Sequence, residues 1–233
     1  MTKSNRNLQI LNGVTVVMLL ISTALVFLYA PLERTMGQVQ RIFYFHVSAG
    51  WVGMLAFMVT LVLGAVYLRT GNRRWDMIAA ASVEIGLVFT VMNAASGSIW
   101  ARPAWNTWWT WDPRLTTFTI MALIYVAYLM LRQGIEDPER RARFASVYGI
   151  VGFISVPITF FAIRWWRTIH PVVIGEGAGE AQGTFSMTSP MVQVMLFCFA
   201  TFTLLYFCLL ANRLQLETLA QRVEQLKARV MSA

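Results

Sequence analysis

Two histidines are the residues of this chain best suited to hold a metal. His46 and His170 are its only histidines, and each lies at one end of a long apolar segment. Neutral imidazole is the commonest metal ligand in proteins, and it binds haem iron axially. A closed zinc site needs four ligands, and the two cysteines lie elsewhere, within a single apolar run. The alternative is that each imidazole is a hydrogen-bonded structural side chain.

A tryptophan-rich segment separates the two histidines in the sequence. It reads WARPAWNTWWTWD from Trp100 to Asp112, with five tryptophans in thirteen residues. Trp165 and Trp166 follow, shortly before the second histidine. This density of indole rings favours a flat aromatic platform for a large planar ligand. The alternative is an aromatic belt, because tryptophan concentrates at membrane surfaces.

Several arginines lie near the same residues and suit a ligand that carries carboxylates. A porphyrin would need axial nitrogens, aromatic walls and cations for its two propionates. The guanidinium group matches a carboxylate through two parallel hydrogen bonds. The candidates are Arg41, Arg102, Arg114, Arg164 and Arg167. For each of them, a solvated charge or a pair with a lipid headgroup is the alternative.

The composition indicates that the solvent of this chain is mostly lipid. Its 233 residues are 57% hydrophobic and only 13% charged, whereas soluble domains carry about 25% charged residues. These values exclude an ordinary soluble globular domain and a disordered chain. The net charge of +8 does not indicate nucleic-acid binding, because the basic residues form short clusters between apolar runs. We therefore predict an integral protein of the lipid bilayer.

Six segments are long and apolar enough to cross a bilayer, for which about 20 residues are needed. They are residues 8–30, 46–68, 77–99, 115–131, 144–164 and 190–211. The sequence thus predicts an all-α fold, with six transmembrane helices in one bundle over residues 1–212. Residues 213–233 are predicted to form a short cytoplasmic amphipathic helix. Its apolar residues recur at alternating intervals of three and four, which suits packing against a partner helix, a second copy of the chain or the membrane surface.

The positions of Lys and Arg predict the orientation in the membrane. Thirteen of the 19 lie at the N-terminus, at 69–76, at 132–143 and in the tail, which places both termini in the cytoplasm. The outer face then carries residues 31–45, a Trp-rich loop at about 100–114 and a Gly-rich loop at about 165–189. Both histidines and seven of the nine tryptophans lie on this face. A belt should appear at both faces, so the platform is the favoured interpretation.

Asp112 and Glu84 are two acidic residues for which both a structural role and a functional role are considered. Asp112 precedes Pro113 at the predicted start of the fourth span, where it is expected to cap the helix and is compatible with positioning a ligand. Glu84 lies inside the third span, where an ionisable side chain is costly. It either has a function or is paired within the bundle.

Three motifs together resemble a known family. The stretch GSIWARPAWNTWWTWDPRLTT, from Gly97 to Thr117, is similar to the tryptophan-rich WWD motif of the haem-handling protein superfamily. The segments QRIFYFHVSAGW and IRWWRTIHP resemble the two histidine-bearing regions of one branch, cytochrome c maturation protein C, also called haem exporter protein C. The resemblance covers most of the chain.

This resemblance implies a site and a function. His46 and His170 correspond to the axial ligands of a non-covalent haem b, and the haem site is lined by Trp100, Trp105, Trp108, Trp109, Trp111 and Asp112. Such proteins act in the bacterial inner membrane beside ATP-binding-cassette transporter subunits and a small membrane subunit. They load haem onto a periplasmic haem chaperone for attachment to apocytochrome c. The expected role is binding and transfer by ligand exchange, not enzymatic catalysis. Apart from the resemblance, the glycines after His170 suggest that the Gly-rich loop moves, and the alternative is a plain linker.

Other functions remain open at this point. A bis-histidine b-type cytochrome subunit would pass electrons to a quinone, but it usually holds its haem deep between helices. A haem lyase of the related single-polypeptide system would form thioether bonds, and this chain is short for that role. A structural membrane subunit would bind no haem.

Overall fold

The computed structural model describes residues 3–33, 36–166, 168–170 and 187–231, and these residues are mostly helical. The helices are α1 (Lys3–Ala24, continued by a π-helical turn at Leu25–Tyr29), α2 (Gln40–Thr70), α3 (Arg73–Trp105), α4 (Pro113–Gly134), α5 (Pro138–Gly152), α6 (Ser155–Trp165) and α7 (Ser189–Met231). The described part of the chain contains no β-strand beyond one isolated bridge, Glu33 to Gly37.

Six helical segments are long and apolar enough to cross a membrane, as the sequence predicts. They are Arg6–Tyr29, Gln40–Thr70, Arg73–Trp105, Pro113–Gly134, Pro138–Trp165 and Ser189–Met231. The chain is therefore an all-α membrane protein. The predicted tail continues α7 without a break as far as Met231, and its side chains from Thr218 onward are exposed.

Several helices extend beyond the predicted spans. α2 begins six residues before position 46, and α3 continues six residues past position 99. The hydropathy pattern marks only the part of a helix that fits the hydrocarbon, whereas the helix continues as long as its backbone hydrogen bonds are satisfied. Trp100, Arg102 and Trp105 consequently lie on the last turns of α3. The irregular part of the Trp-rich segment is reduced to residues 106–112, beginning at Asn106 in the left-handed conformation (φ 54°).

The fifth span is broken at its middle into α5 and α6. Pro157 lacks an N–H group and cannot bond to the carbonyl oxygen of Phe153. That oxygen accepts instead from the N–H of Val156 at 2.9 Å, and the helix restarts at Ser155. Because of this break, α6 is a separate helix from α5, and it leads to the segment that carries His170.

α2 and α3 form a closely packed pair at the centre of the described helices. A Cβ atom added to Gly86 would lie 2.9 Å from the Cβ of Ala56, so only glycine permits this approach. Ser82 joins the pair to α7, because its hydroxyl donates to the Ala56 carbonyl (2.8 Å) and accepts from the hydroxyl of Tyr206 (2.7 Å). The same two helices position the cavity described next.

Candidate functional site

A cavity of about 560 Å³ lies between α2, α3, α4, α6 and α7, under residues 107–110. This volume is in the range of roughly 300–1,000 Å³ that is usual for cofactor sites, and its walls are mostly apolar and aromatic. Both histidines line it, although they are far apart in the sequence. The other predicted site residues in its wall are Trp100, Trp105, Trp108, Trp109, Arg114 and Arg164.

His46 lies nearly two turns inside α2 and is held by α3. Its Nδ1 atom lies 3.0 Å from the carbonyl oxygen of Asn93 and 3.2 Å from the hydroxyl of Ser96. A carbonyl oxygen can only accept, so Nδ1 carries the proton. The side-chain amide of Asn93 also donates to the His46 carbonyl oxygen at 2.8 Å. Nε2 is left without a proton and forms no hydrogen bond with the described residues.

His170 lies in the short described segment that follows α6, and Asp112 orients it. Its Nδ1–H group donates to Asp112 Oδ2 at 2.9 Å. Thr168 donates its hydroxyl to the same carboxylate oxygen and accepts the backbone N–H of His170 at 3.2 Å. The Nε2 atom of this ring, too, has no hydrogen-bond partner in the described parts of the chain. A carboxylate on the far nitrogen fixes the tautomer and raises the basicity of a ligating histidine.

Asp112 combines this role with helix capping. Its Oδ1 atom accepts the backbone N–H of Leu115 at 2.9 Å, and Pro113 occupies the first turn of α4. Burial alone would raise the pKa of the carboxyl group. The hydrogen bonds from His170, Thr168 and Leu115 outweigh this effect and lower the pKa from 3.8 to about 2. The carboxylate is therefore ionised at any physiological pH.

The tryptophans of α3 and of the following turn form part of the cavity wall. Trp105 packs edge-on against Trp100, with ring centroids 4.7 Å apart, and against the His170 ring at 5.2 Å. The indole N–H groups of Trp100 and Trp109 and the hydroxyl of Thr110 are buried and have no hydrogen-bond partner within the described ranges. All three residues line the cavity. Buried donors without partners are unusual, and a ligand with acceptor atoms would satisfy them.

Among the candidate arginines whose positions are described, Arg114 and Arg164 line the cavity. Arg114 lies in the first turn of α4, and its guanidinium group donates to the carbonyl oxygen of Thr159 on α6. Arg164 lines the cavity as well, with its guanidinium carbon 5.3 Å from the centre of the Phe160 ring. These two cations are placed where carboxylates of a ligand could reach them.

Other predicted site residues lie outside the cavity wall. Arg102 lines no part of it and donates to the carbonyl oxygen of Asn106 at 2.8 Å, while Arg41 lies over the Phe27 ring. Trp111, Trp165 and Trp166 are exposed by 71%, 58% and 45%. Arg167 and the Gly-rich stretch at 171–186 lie outside the described residues.

Sequence reasoning did not assign the residues that position His46. Asn93, Ser96 and Gly97 follow one another at spacings of three and one, which places them on one face of α3. A Cβ atom on Gly97 would lie 2.8 Å from Cε1 of the His46 ring, so this glycine provides the space for the imidazole. A polar and small stripe inside an apolar span is the signal that could have identified them.

The two imidazole groups of the cavity suit a haem iron better than a metal ion held by protein ligands alone. The described residues contain no cluster of three or more His, Cys, Asp and Glu side chains that could hold a metal ion. Two imidazole nitrogens are too few for a structural metal site, whereas a haem iron already has four porphyrin nitrogens. The cavity volume, the aromatic walls and the two cations suit the same ligand.

The fold and this cavity define a class: multi-pass α-helical membrane proteins with two imidazole groups in one aromatic-walled cavity. The family model described as Heme exporter protein C matches residues 1–229. A Heme exporter protein C from Bradyrhizobium diazoefficiens is 33% identical over 198 residues, which are 85% of this chain and 74% of the relative. The chain belongs to the Heme exporter protein C family.

Two further relatives agree with this assignment. The Heme exporter protein C of Rhodobacter capsulatus is 29% identical over 231 residues, which cover 98% of this chain and 93% of the relative. A ccmC-like mitochondrial protein of cytochrome c biosynthesis from Marchantia polymorpha is 30% identical over 200 residues, with coverage of 84% and 82%. Family membership gives the chain a role in haem handling for cytochrome c maturation.

Proposed function

We propose that this protein binds haem b non-covalently in the cavity between His46 and His170 and passes it to a haem chaperone in the periplasm. The observation that carries the proposal is the pair of imidazoles in one cavity. Each uses Nδ1 for a hydrogen bond to an acceptor, and each leaves Nε2 available to iron. This is the arrangement of ligating histidines in metal sites, where the second nitrogen is held by a carbonyl or carboxylate oxygen.

The remaining cavity residues would hold the porphyrin. Trp100, Trp105, Trp108 and Trp109 offer aromatic surface, and the buried indole N–H groups offer donors to polar edges of the ligand. Arg114, with Arg164 beside it, would pair with a propionate. Trp111, Trp165 and Trp166 are exposed and are proposed to contact the porphyrin edge or the chaperone after docking.

The two histidines have different roles in release. His46 is held between two long helices by contacts to Asn93 and Ser96. His170 lies outside the helices and depends on Asp112 and Thr168. We propose that the chaperone displaces His170 from iron first, because that bond can break without moving a helix. The step is an exchange of ligands on the cargo, with no covalent bond made to the protein.

The proposed setting follows the family. The cavity faces the periplasm, both termini lie in the cytoplasm, and the protein works in the inner membrane. ATP-binding-cassette subunits and a small membrane subunit are its proposed partners in the complex. The predominance of Lys and Arg at the other end of the bundle supports this orientation.

The absorption spectrum of the detergent-purified protein, reconstituted with haem, tests the proposal. We expect a six-coordinate low-spin spectrum for the wild type and its loss in His46→Gly and His170→Gly. Added imidazole should restore low-spin haem in both variants, which distinguishes a missing ligand from a misfolded protein. Trp75→Phe, on the opposite side of the bundle, is the matched control. A wild-type protein that binds no haem, or histidine variants with an unchanged spectrum, would overturn the proposal.

A further inference from the structure

A second cavity, of about 430 Å³, lies at the opposite end of the bundle between α3, α4, α5 and α7. Its wall is highly charged, in contrast to the haem cavity. Five arginines and three acidic residues line it: Arg73, Arg74, Arg132, Arg141, Arg213, Asp76, Glu84 and Glu217. With all eight ionised, the wall carries a net charge of +2.

The three carboxylates are bound to only two of the arginines. Asp76 holds Arg132 through both oxygens, at 2.5 and 3.0 Å. Arg213 contacts both oxygens of Glu84, at 2.7 and 3.1 Å, and reaches the Glu217 carboxylate at 3.0 Å. All three carboxylates of the wall are therefore paired with Arg132 or Arg213, and none of them is paired with the other three arginines.

Those three arginines come from two helices, and their side chains have no acceptor among the described residues. The side chains of Arg73, Arg74 and Arg141 form no hydrogen bond or ion pair with any described residue. The Nε atom of Arg141 is buried, and no described residue accepts a hydrogen bond from it. A buried guanidinium N–H without an acceptor is unfavourable, and a bound anion would remove this cost.

The position of the cavity indicates what kind of anion it meets. Arg73 begins α3, so the positive end of that helix dipole lies beside the cavity. Arg132 lies in the last turn of α4, where the helix leaves the apolar part of its span. Because the apolar part of the span ends here, we expect this level to lie among the headgroups of a bilayer. Basic pockets between transmembrane helices bind anionic headgroups there.

We propose that this cavity binds a phosphate group through Arg141 together with Arg73 and Arg74. The group can belong to an anionic phospholipid or to a soluble phosphate, and the experiment distinguishes these sources. The site is separate from the haem cavity and does not depend on the proposed haem transfer. A phosphate group bound there would link α3 to α5 through these arginines, whose side chains form no hydrogen bond or ion pair with the described residues.

The test uses the full-length protein, delipidated in a neutral detergent. Thermal unfolding and native mass spectrometry are recorded with phosphatidylglycerol, with phosphatidylcholine, and with inorganic phosphate alone. We expect phosphatidylglycerol to bind and stabilise the wild type, and phosphatidylcholine to do neither. Arg141→Gln and the double variant Arg73→Gln/Arg74→Gln should each bind phosphatidylglycerol at least about tenfold more weakly, as expected for the loss of charge-assisted contacts.

Arg140→Gln is the matched control. Arg140 precedes Arg141 on α5, but its side chain is exposed and does not line the cavity. Binding that weakens equally in Arg140→Gln, or that is the same for the two lipids, would overturn the proposal, because surface charge alone would then explain it. Stabilisation by inorganic phosphate that is lost in Arg141→Gln would support the site and assign it to a soluble anion. Haem spectra of the same samples report folding and test the haem proposal separately.

Discussion

The two ends of one helix bundle carry two cavities of opposite character. α3, α4 and α7 contribute to both, and Arg114 and Arg132 mark the two levels along α4, about 27 Å apart at 1.5 Å per residue. At the level of Arg114, polar groups are few and stand among aromatic rings. At the level of Arg132, charged groups are many, and the described arginines outnumber the carboxylates by five to three.

The difference lies in how each end uses its polar atoms. In the cavity lined by His46 and His170, backbone and side-chain oxygens bind one nitrogen of each imidazole and leave the other available. In the charged cavity, two arginines use their donors on carboxylates of neighbouring helices. The first arrangement prepares a ligand site, whereas the ion pairs of the second join helices and leave its other three arginines for a bound anion. Variants at the two ends should therefore have different effects, on haem binding in one case and on stability in the other.

The largest effect is expected for Arg132→Ala, on stability. Asp76 is only 3% exposed, so removal of its partner leaves a buried charge without compensation. Loss of one member of a buried ion pair costs about 3–5 kcal/mol. The free energy of unfolding in mixed detergent micelles should fall by this amount. The haem spectrum of the folded fraction should remain that of the wild type.

The Glu84–Arg213 pair provides the control for this prediction. Its side chains are 39% and 37% exposed, and half-exposed ion pairs contribute less than about 1 kcal/mol. Glu84→Gln should thus have little effect on unfolding. Equal losses in the two variants would contradict the distinction between a buried and a hydrated pair.

The next effect in size is expected for Asp112→Asn, on haem affinity. Asparagine caps a helix as well as aspartate does, so the start of α4 should be kept. The negative acceptor for the His170 Nδ1–H group is lost, and changes of this kind weaken metal binding by about 10–100-fold. A haem titration followed by absorbance measures the change. Asp137→Asn, at the N-cap of α5, is the matched control, because Asp137 accepts only a backbone N–H there.

The pH dependence of haem affinity provides a further test of the role of Asp112. The pKa of Asp112 is lowered to about 2, so the stabilisation that its ionised form provides is present above about pH 3.9 and is lost as the pH falls toward 2. Asp112 therefore does not titrate between about pH 5 and about pH 8. The ratio of wild-type to Asp112→Asn affinity should stay constant over that interval. A ratio that falls toward 1 near pH 5 would mean that the carboxylate is protonated there.

The smallest of the three effects is expected for Gly97→Ala. The added Cβ would lie 2.8 Å from Cε1 of His46, so the ring must shift by a few tenths of an ångström. We expect haem affinity to fall by about three- to tenfold through this misplacement of the ligand. Gly13→Ala on α1 is the control, because no atom lies within 4 Å of its added Cβ. Equal affinity in the Gly97→Ala and Gly13→Ala proteins would show that the packing around His46 tolerates the methyl group.

Much of the fold was predictable because hydropathy acts locally. Each transmembrane helix satisfies its own backbone, so an apolar run of sufficient length predicts a span without knowledge of its neighbours. The same reasoning gave inexact helix ends. Trp105 and Gln40 are helical although they lie outside the apolar runs, since the hydrogen-bond pattern of a helix does not stop where the lipid does.

The candidate site was predictable by residue type and only in part by position. The rarity of histidine and the density of tryptophan indicated His46, His170 and the Trp-rich segment. Which indoles face the cavity depends on the rotation of α3 and on the turn at Asn106, and neither follows from composition. Trp109 accordingly lines the cavity, whereas Trp111, two residues further on, is exposed to solvent or lipid.

The sequence by itself determined the lipid environment, the six spans, the histidine ligand candidates and the family resemblance, because these depend on residue identity and local order. Only the tertiary structure decided that Asn93 holds His46 across 47 residues, that Asp112 holds His170 across 58, and that Glu84 is paired with Arg213. Such contacts depend on how helices approach and rotate against one another. That geometry is fixed by packing between segments distant in the chain, which no local pattern encodes.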